Sequence, residues 1–104
     1  MSGGDPELMA EMIDIFNSQV VEMGAEMQKL LNEQEYQNLG KLAHKAKTSV
    51  AIMGMNDLAE ELKNLELHAR ELKHIERYQY IIESFIVETE EAIKELTDFK
   101  KSLS

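Results

Sequence analysis

The chain has 104 residues, a net charge of −9 and no Cys: it is one domain's length, long enough to bury a single core, and it has no disulfide, no thiolate nucleophile and no thiolate zinc site. Hydrophobic residues at 43% and charged residues at 30%, with Pro6 the sole proline, describe a globular helix former and not a disordered chain. The acidic balance argues against a general nucleic-acid binder and against an anionic lipid surface; no apolar run approaches the ~18 residues of a membrane span and no basic-then-apolar leader opens the chain, so a reducing, cytoplasmic setting is expected.

Residues 1–4 read as a flexible lead and residues 5–104 as one domain. Asp5-Pro6 reads as an N-cap followed by Pro at the first helical position. From there Leu8, Met12, Phe16, Val20, Met23, Met27 and Leu30 recur at steps of three or four, which is one apolar helical stripe. Gly24 lies within it and is expected to weaken or bend the helix. This first segment is long for a small bundle, and its pattern allows a short N-terminal cap helix ahead of the bundle helix.

The polar stretch Asn32–Asn38 reads as a turn. A second helix carries Leu39, Leu42, Ala43, Ala46, Val50 and Met53 on one face, and Gly54 stands where a left-handed residue ends a helix. A third helix starts at Asn56 or Asp57, where Asp57-x-x-Glu60 matches a capping box; its stripe is Leu58, Leu62, Leu65, Ala69 and Leu72. Lys73–Arg77 turns the chain into a last helix marked by Tyr78, Ile81, Phe85, Ile86, Thr89, Ala92, Ile93, Leu96 and Phe99. No segment alternates with period two for long, so no sheet is expected. Four amphipathic helices with short connections predict an all-α, up-down-up-down four-helix bundle.

The second helix breaks its own pattern. Its apolar stripe centres near Leu39, Ala46 and Val50, and at about 100° per residue His44 falls roughly 130–140° away, toward solvent. Gly40 and Ala51 are poor choices for an ordinary solvated face, since Gly costs about 1 kcal/mol of helix propensity; what they offer is room around an imidazole. Ile52 and Met55 lie further along the non-core side and suggest a docking patch. From Tyr36 to Asn56 there is no acidic residue, while Lys41, Lys45 and Lys47 give the window +3, leaving −12 for the rest of the chain. The one basic surface thus surrounds the one His on an open helix face.

A neutral imidazole is a good nucleophile near pH 7. It can attack phosphorus and hold the phosphoryl group covalently. A Lys one helical turn away can stabilise the charge on that group; Lys47 is placed for this, and Lys41 offers a second, more flexible charge. The plain alternative is a surface His among surface lysines.

Leu42-Ala43-His44-Lys45-Ala46-Lys47, then Gly54, Leu58-Ala59, Leu62 and Leu65-Glu66, resemble the core pattern of the histidine-containing phosphotransfer (HPt) domain family: a His, a Lys three residues on and a Gly ten residues after the His. The tight match covers about 25 residues and the helical layout extends it over nearly the whole chain. The resemblance implies a four-helix bundle that takes a phosphoryl group from the aspartate of one receiver domain and passes it to another, without kinase activity or nucleotide binding of its own. It implies His44 as phospho-acceptor, Lys47 as the phosphoryl-stabilising lysine and Gly54 as the helix-ending glycine near the docking face. The Mg²⁺ would belong to the receiver, and no cofactor to this chain. The implied partners are receiver domains, free-standing or fused within a hybrid histidine kinase, and a monomeric module is expected. Two positions depart from the family. Ala46 replaces its usual Leu, and Thr48 replaces a Gly that lets the partner approach; Thr48 either narrows that access or donates its hydroxyl to the phosphoryl group. The expected contact surface is Gln37, Lys41, Lys45, Lys47, Thr48, Ala51, Ile52, Gly54, Met55 and Asn56.

Three other readings compete with this one. A sensor-kinase dimerisation helix favours an acid after the His and a Pro five after it, where this chain has Lys45 and Ser49. A metal–carboxylate bundle would use Glu71-x-x-His74, but no second copy exists. A non-catalytic helical adaptor of the same fold would use the same face with no covalent step.

Overall fold

The chain is described for residues 6–102 by a computed structural model; the lead at 1–4 and the N-cap expected at Asp5 lie outside the described residues. Four helices follow in order, α1 (Pro6–Asn32), α2 (Tyr36–Ile52), α3 (Asn56–Glu71) and α4 (Tyr78–Ser102), with one 3₁₀ turn, Ile75–Arg77, before α4. No strand occurs among the described residues, and none of their helices is long and apolar enough to cross a membrane. α1 packs on α2, α2 on α3, α3 on α4 and α4 back on α1. This ring of sequence neighbours is the all-α, up-down-up-down four-helix bundle that the patterning predicts.

The core is built from the expected stripes, with shifts that matter. Leu39, Ala43, Ala46 and Val50 of α2 and Leu58, Leu62, Leu65 and Ala69 of α3 are buried against Phe16, Val20 and Met27 of α1 and Tyr78, Ile82 and Phe85 of α4. Buried Thr89 satisfies its hydroxyl on the Phe85 carbonyl at 2.7 Å. α1 runs unbroken, so there is no separate cap helix. Its buried line is Ile13, Phe16, Val20, Gly24 and Met27, while Leu8 and Met12 are exposed. At about 1.5 Å per residue, α1 and α4 outrun α2 and α3 by roughly 12 Å or more, so the start of α1 and the end of α4 overhang the bundle.

Three helix ends close in the same way. After α1, α2 and α3 the chain passes through a left-handed residue, Gln34, Gly54 and Leu72 respectively. In each case the next amide reaches five residues back: Glu35 to Leu30, Met55 to Val50, and Lys73 to His68, at 2.8 to 3.0 Å. This double-bonded closure satisfies carbonyls that a helix end otherwise leaves open. Gly54 takes the role its position predicts. Gln34 and Leu72 adopt the same backbone at the cost a Cβ carries there, about 1–2 kcal/mol. The capping box at Asp57-x-x-Glu60 does not form: the residue before α3 is Met55, without a side-chain cap.

Two glycines are spacing devices. A Cβ on Gly24 would meet Ile86 Cγ1 at 3.0 Å, so Gly24 lets α1 lie close on α4. Gly40, expected on the open side near His44, is buried instead: its Cβ would meet the Glu66 carbonyl oxygen at 3.3 Å and Ala69 Cβ at 3.4 Å. It clears the way for α3, not for the imidazole. Gly40→Leu should therefore push α3 off α2 and lower the unfolding free energy by about 1–3 kcal/mol in denaturant titrations.

Between α3 and α4 the acidic excess is felt directly. Burial, and the neighbouring charges of Glu61, Glu91 and Asp57, push the Glu88 carboxyl above its ordinary value. A raised carboxyl favours the folded state while protonated, and that contribution is lost as pH rises through the raised value. Glu88→Gln should raise Tm by a few degrees at pH 7. It should change Tm little at about pH 3, where the carboxyl is protonated folded or unfolded.

Candidate functional site

His44 sits in the middle of α2 with its side chain 60% exposed, as its position on the helix predicts. It does not stand clear of its surroundings. Its Nδ1 lies 3.1 Å from the carboxylate of Glu66 on α3. Lys47 Nζ reaches Glu66 Oε1 at 3.3 Å, and Arg70 Nη2, one turn further along α3, reaches Oε2 at 3.1 Å. One carboxylate, only 12% exposed, thus holds three cationic or proton-donating groups.

The close approach at Gly40 makes this possible, because it brings the backbone of α3 at Glu66 against α2 one turn before His44. Gln37 adds a second tie, donating from Nε2 to the Arg70 carbonyl at 3.2 Å. Burial alone would raise the Glu66 carboxyl, but the hydrogen bonds and positive charges of His44 and Lys47 outweigh it and hold the group below its ordinary value. Glu66 is therefore ionised at neutral pH and can only accept. A hydrogen of its imidazole partner must then sit on Nδ1, and in the neutral ring that puts the lone pair on Nε2. The acid–base sign follows: a lowered carboxyl contributes stability above its ordinary value and loses it as pH falls through the lowered one.

Lys47 is only 27% exposed and is spent on Glu66 in this state. The other expected contact residues divide into two sets. Lys41 and Lys45 line a groove on the α1 side with Glu26, Leu30, Asn38 and Leu42. Thr48, Ala51, Ile52 and Asn56 line another on the α3 side with Lys47 and Lys63. Gly54 is exposed at the end of α2, whereas Met55 is half-buried and packs on the core. Thr48 donates its hydroxyl to the His44 carbonyl at 3.3 Å. That hydrogen is used within the helix and is not held out for a phosphoryl group.

Pattern reading missed two things. The first is Glu66 with Arg70, for which the i, i+4 spacing of the two on α3 is the available signal. The second is an apolar groove of about 390 Å³ at the overhanging end, lined by Met12, Ile15, Phe16, Ile52, Met53 and Phe99 among others. Its signal was the width of the apolar arc at the start of α1, where Leu8, Met9, Met12, Ile13, Ile15 and Phe16 are too many for one stripe. Ile52, 77% exposed, lines both this groove and the one beside Lys47.

Elsewhere His68 and His74 face one another with ring centroids 4.6 Å apart, away from His44 at the α3–α4 turn. No group of three or more His, Asp or Glu among the described residues is arranged to hold a metal ion, so Glu71-x-x-His74 has no partners there. Compared with protein-family models, with curated proteins and with solved structures, the chain matches none. The geometry of the site itself carries the functional reading.

If Glu66 fixes the tautomer, ¹⁵N NMR at neutral pH should find His44 protonated at Nδ1. Glu66→Ala should move it toward the Nε2–H form that free imidazole prefers, with His68 and His74 unchanged.

Proposed function

We propose that the protein is a histidine phosphotransfer module of the HPt type, accepting a phosphoryl group on His44 from the aspartyl phosphate of a receiver domain and passing it to another receiver. The observation that carries this is the engagement of His44 Nδ1 by Glu66, which leaves the Nε2 lone pair on an open helix face with Lys47 three residues away. In the forward step the Nε2 lone pair forms a bond to phosphorus as the bond from phosphorus to the aspartyl oxygen breaks, and the aspartate leaves as a carboxylate. The Nδ1 proton stays on the ring. The product ring is cationic and faces Glu66, which stabilises it. The reverse step returns the phosphoryl group to a carboxylate by the same path.

This chain supplies the nucleophile, its orientation and a positive charge; the Mg²⁺ and the rest of the machinery belong to the receiver. On this reading the module is a cytoplasmic phosphocarrier, with no kinase activity or nucleotide site of its own, and works as a monomer. The receiver would seat over the two grooves that flank His44, its apolar contacts falling along Ile52 toward the start of α1. That apolar groove alone would equally serve a non-catalytic adaptor, which needs no free Nε2.

Incubation with a panel of Mg²⁺-loaded phosphorylated receivers separates the two. Wild type should gain phosphate that survives alkali and is lost in acid, and His44→Gln should gain none while keeping its helical spectrum. Lys47→Ala should slow transfer by about 10-fold or more, as loss of a charge contact to the transferring group does. Lys41→Ala should act more weakly and lose its effect at high salt. A folded wild type that takes no label from any receiver would favour the adaptor, and an unchanged rate in Lys47→Ala would remove that lysine's role.

A further inference from the structure

Glu66 has more partners than one proton donor requires. Three groups share its two oxygens: His44 Nδ1, Lys47 Nζ and Arg70 Nη2, within 3.1 to 3.3 Å. Of these, Arg70 is the one that shares a helix with Glu66, four residues on. It reaches Glu66 from one turn further along α3, its head 64% exposed and its main chain tied to α2 through Gln37.

The proposed transfer, on which this inference rests, sets two demands on Lys47. In the free protein it neutralises Glu66, and during transfer its charge is wanted at the incoming phosphoryl group. A lysine has one ammonium on a flexible stem and can serve the two only in turn. When it leaves, a largely covered carboxylate would lose a counter-charge just as a dianion arrives at the other ring nitrogen. Such a carboxylate is costly unless another cation remains.

We infer that Arg70 is a positioning residue for this site. It holds Glu66 in place, ionised and aimed at Nδ1, while Lys47 moves from the carboxylate to the phosphoryl group. An arginine suits the task because its guanidinium stays charged at every working pH and its planar fork fixes the orientation of a carboxylate. The cycle is thus an exchange of cations on one carboxylate: His44, Lys47 and Arg70 before transfer, and the cationic phosphorylated ring with Arg70 after it. Arg70 acts through Glu66 and touches neither donor nor phosphoryl group.

Potassium phosphoramidate tests this without a protein partner. Its phosphorus bonds to His44 Nε2 as its own bond to nitrogen breaks and ammonia leaves. The rate of phosphohistidine formation is compared in wild type, Arg70→Gln, Glu66→Gln and the double variant, and ¹⁵N NMR records the His44 tautomer of each unphosphorylated protein. Arg70→Gln should label about 3- to 5-fold more slowly, the size of one exposed charge contact, while its His44 remains protonated at Nδ1. Adding Arg70→Gln to Glu66→Gln should cost nothing more, because the path through Glu66 is already gone. Labelling of Arg70→Gln at the wild-type rate overturns the inference. So does a loss that persists undiminished in the Glu66→Gln background, which would put Arg70 on the phosphoryl group itself, and so does a changed tautomer in Arg70→Gln, which would make it a support of the resting site only. A wild type whose His44 takes no phosphoryl group overturns the phosphotransfer reading, and the inference with it.

Discussion

The site depends on how closely α3 lies against α2. At Gly40 a Cβ would lie 3.3 Å from the Glu66 carbonyl oxygen and 3.4 Å from Ala69 Cβ, so the two helices pack as closely as a side chain there would allow. That contact fixes the distance and register of the two helices together. Buried Ala43, Ala46 and Ala69 continue the close seam, as small residues permit helices to approach. Glu66 then falls opposite the turn of α2 that carries His44 and Lys47, and its carboxylate meets both. A bulkier seam would leave the imidazole free to rotate and either ring nitrogen free to carry the proton.

Once Glu66 is placed, the electrostatics follow from local charge. The chain as a whole carries −9, yet its second helix has no acid between Tyr36 and Asn56. Glu66 supplies the carboxylate that pairs with His44 and Lys47 on that basic face, and they hold it ionised. Glu88 shows the opposite case: burial, joined by the charges of Glu61, Glu91 and Asp57, pushes its carboxyl up. The same residue type behaves in two ways within one small bundle because its neighbours differ in sign. A carboxylate kept ionised by His44 and Lys47 is a fixed hydrogen-bond acceptor, and that is what an imidazole needs if it is to present one nitrogen as a nucleophile.

Much of this could be read from the sequence, for reasons that single out what could not. Helix periodicity gave four helices and put His44 on the open side of α2, because burial follows angle around a helix. Gly54 at a left-handed helix end was legible because glycine is the usual residue there; Gln34 and Leu72 take the same backbone without a glycine to mark it. Gly40 reads as open space beside His44, because angle alone does not say which helix lies alongside. Glu66 and Arg70 were overlooked for the same reason, since pairing α2 with α3 in register is a tertiary fact. The wide apolar arc of α1 reads as core until the unequal helix lengths show that its first turns overhang the bundle.

The central claim is that one nitrogen of one histidine is held ready for phosphorus, and a phosphorus-coupled ¹H–¹⁵N spectrum of the protein treated with phosphoramidate tests it most directly. The account predicts a phosphoryl group on Nε2 of His44, with Nδ1 still protonated toward Glu66 and with His68 and His74 unmodified. Phosphorus on Nδ1 of His44, or on either of the other two histidines in its place, would contradict it.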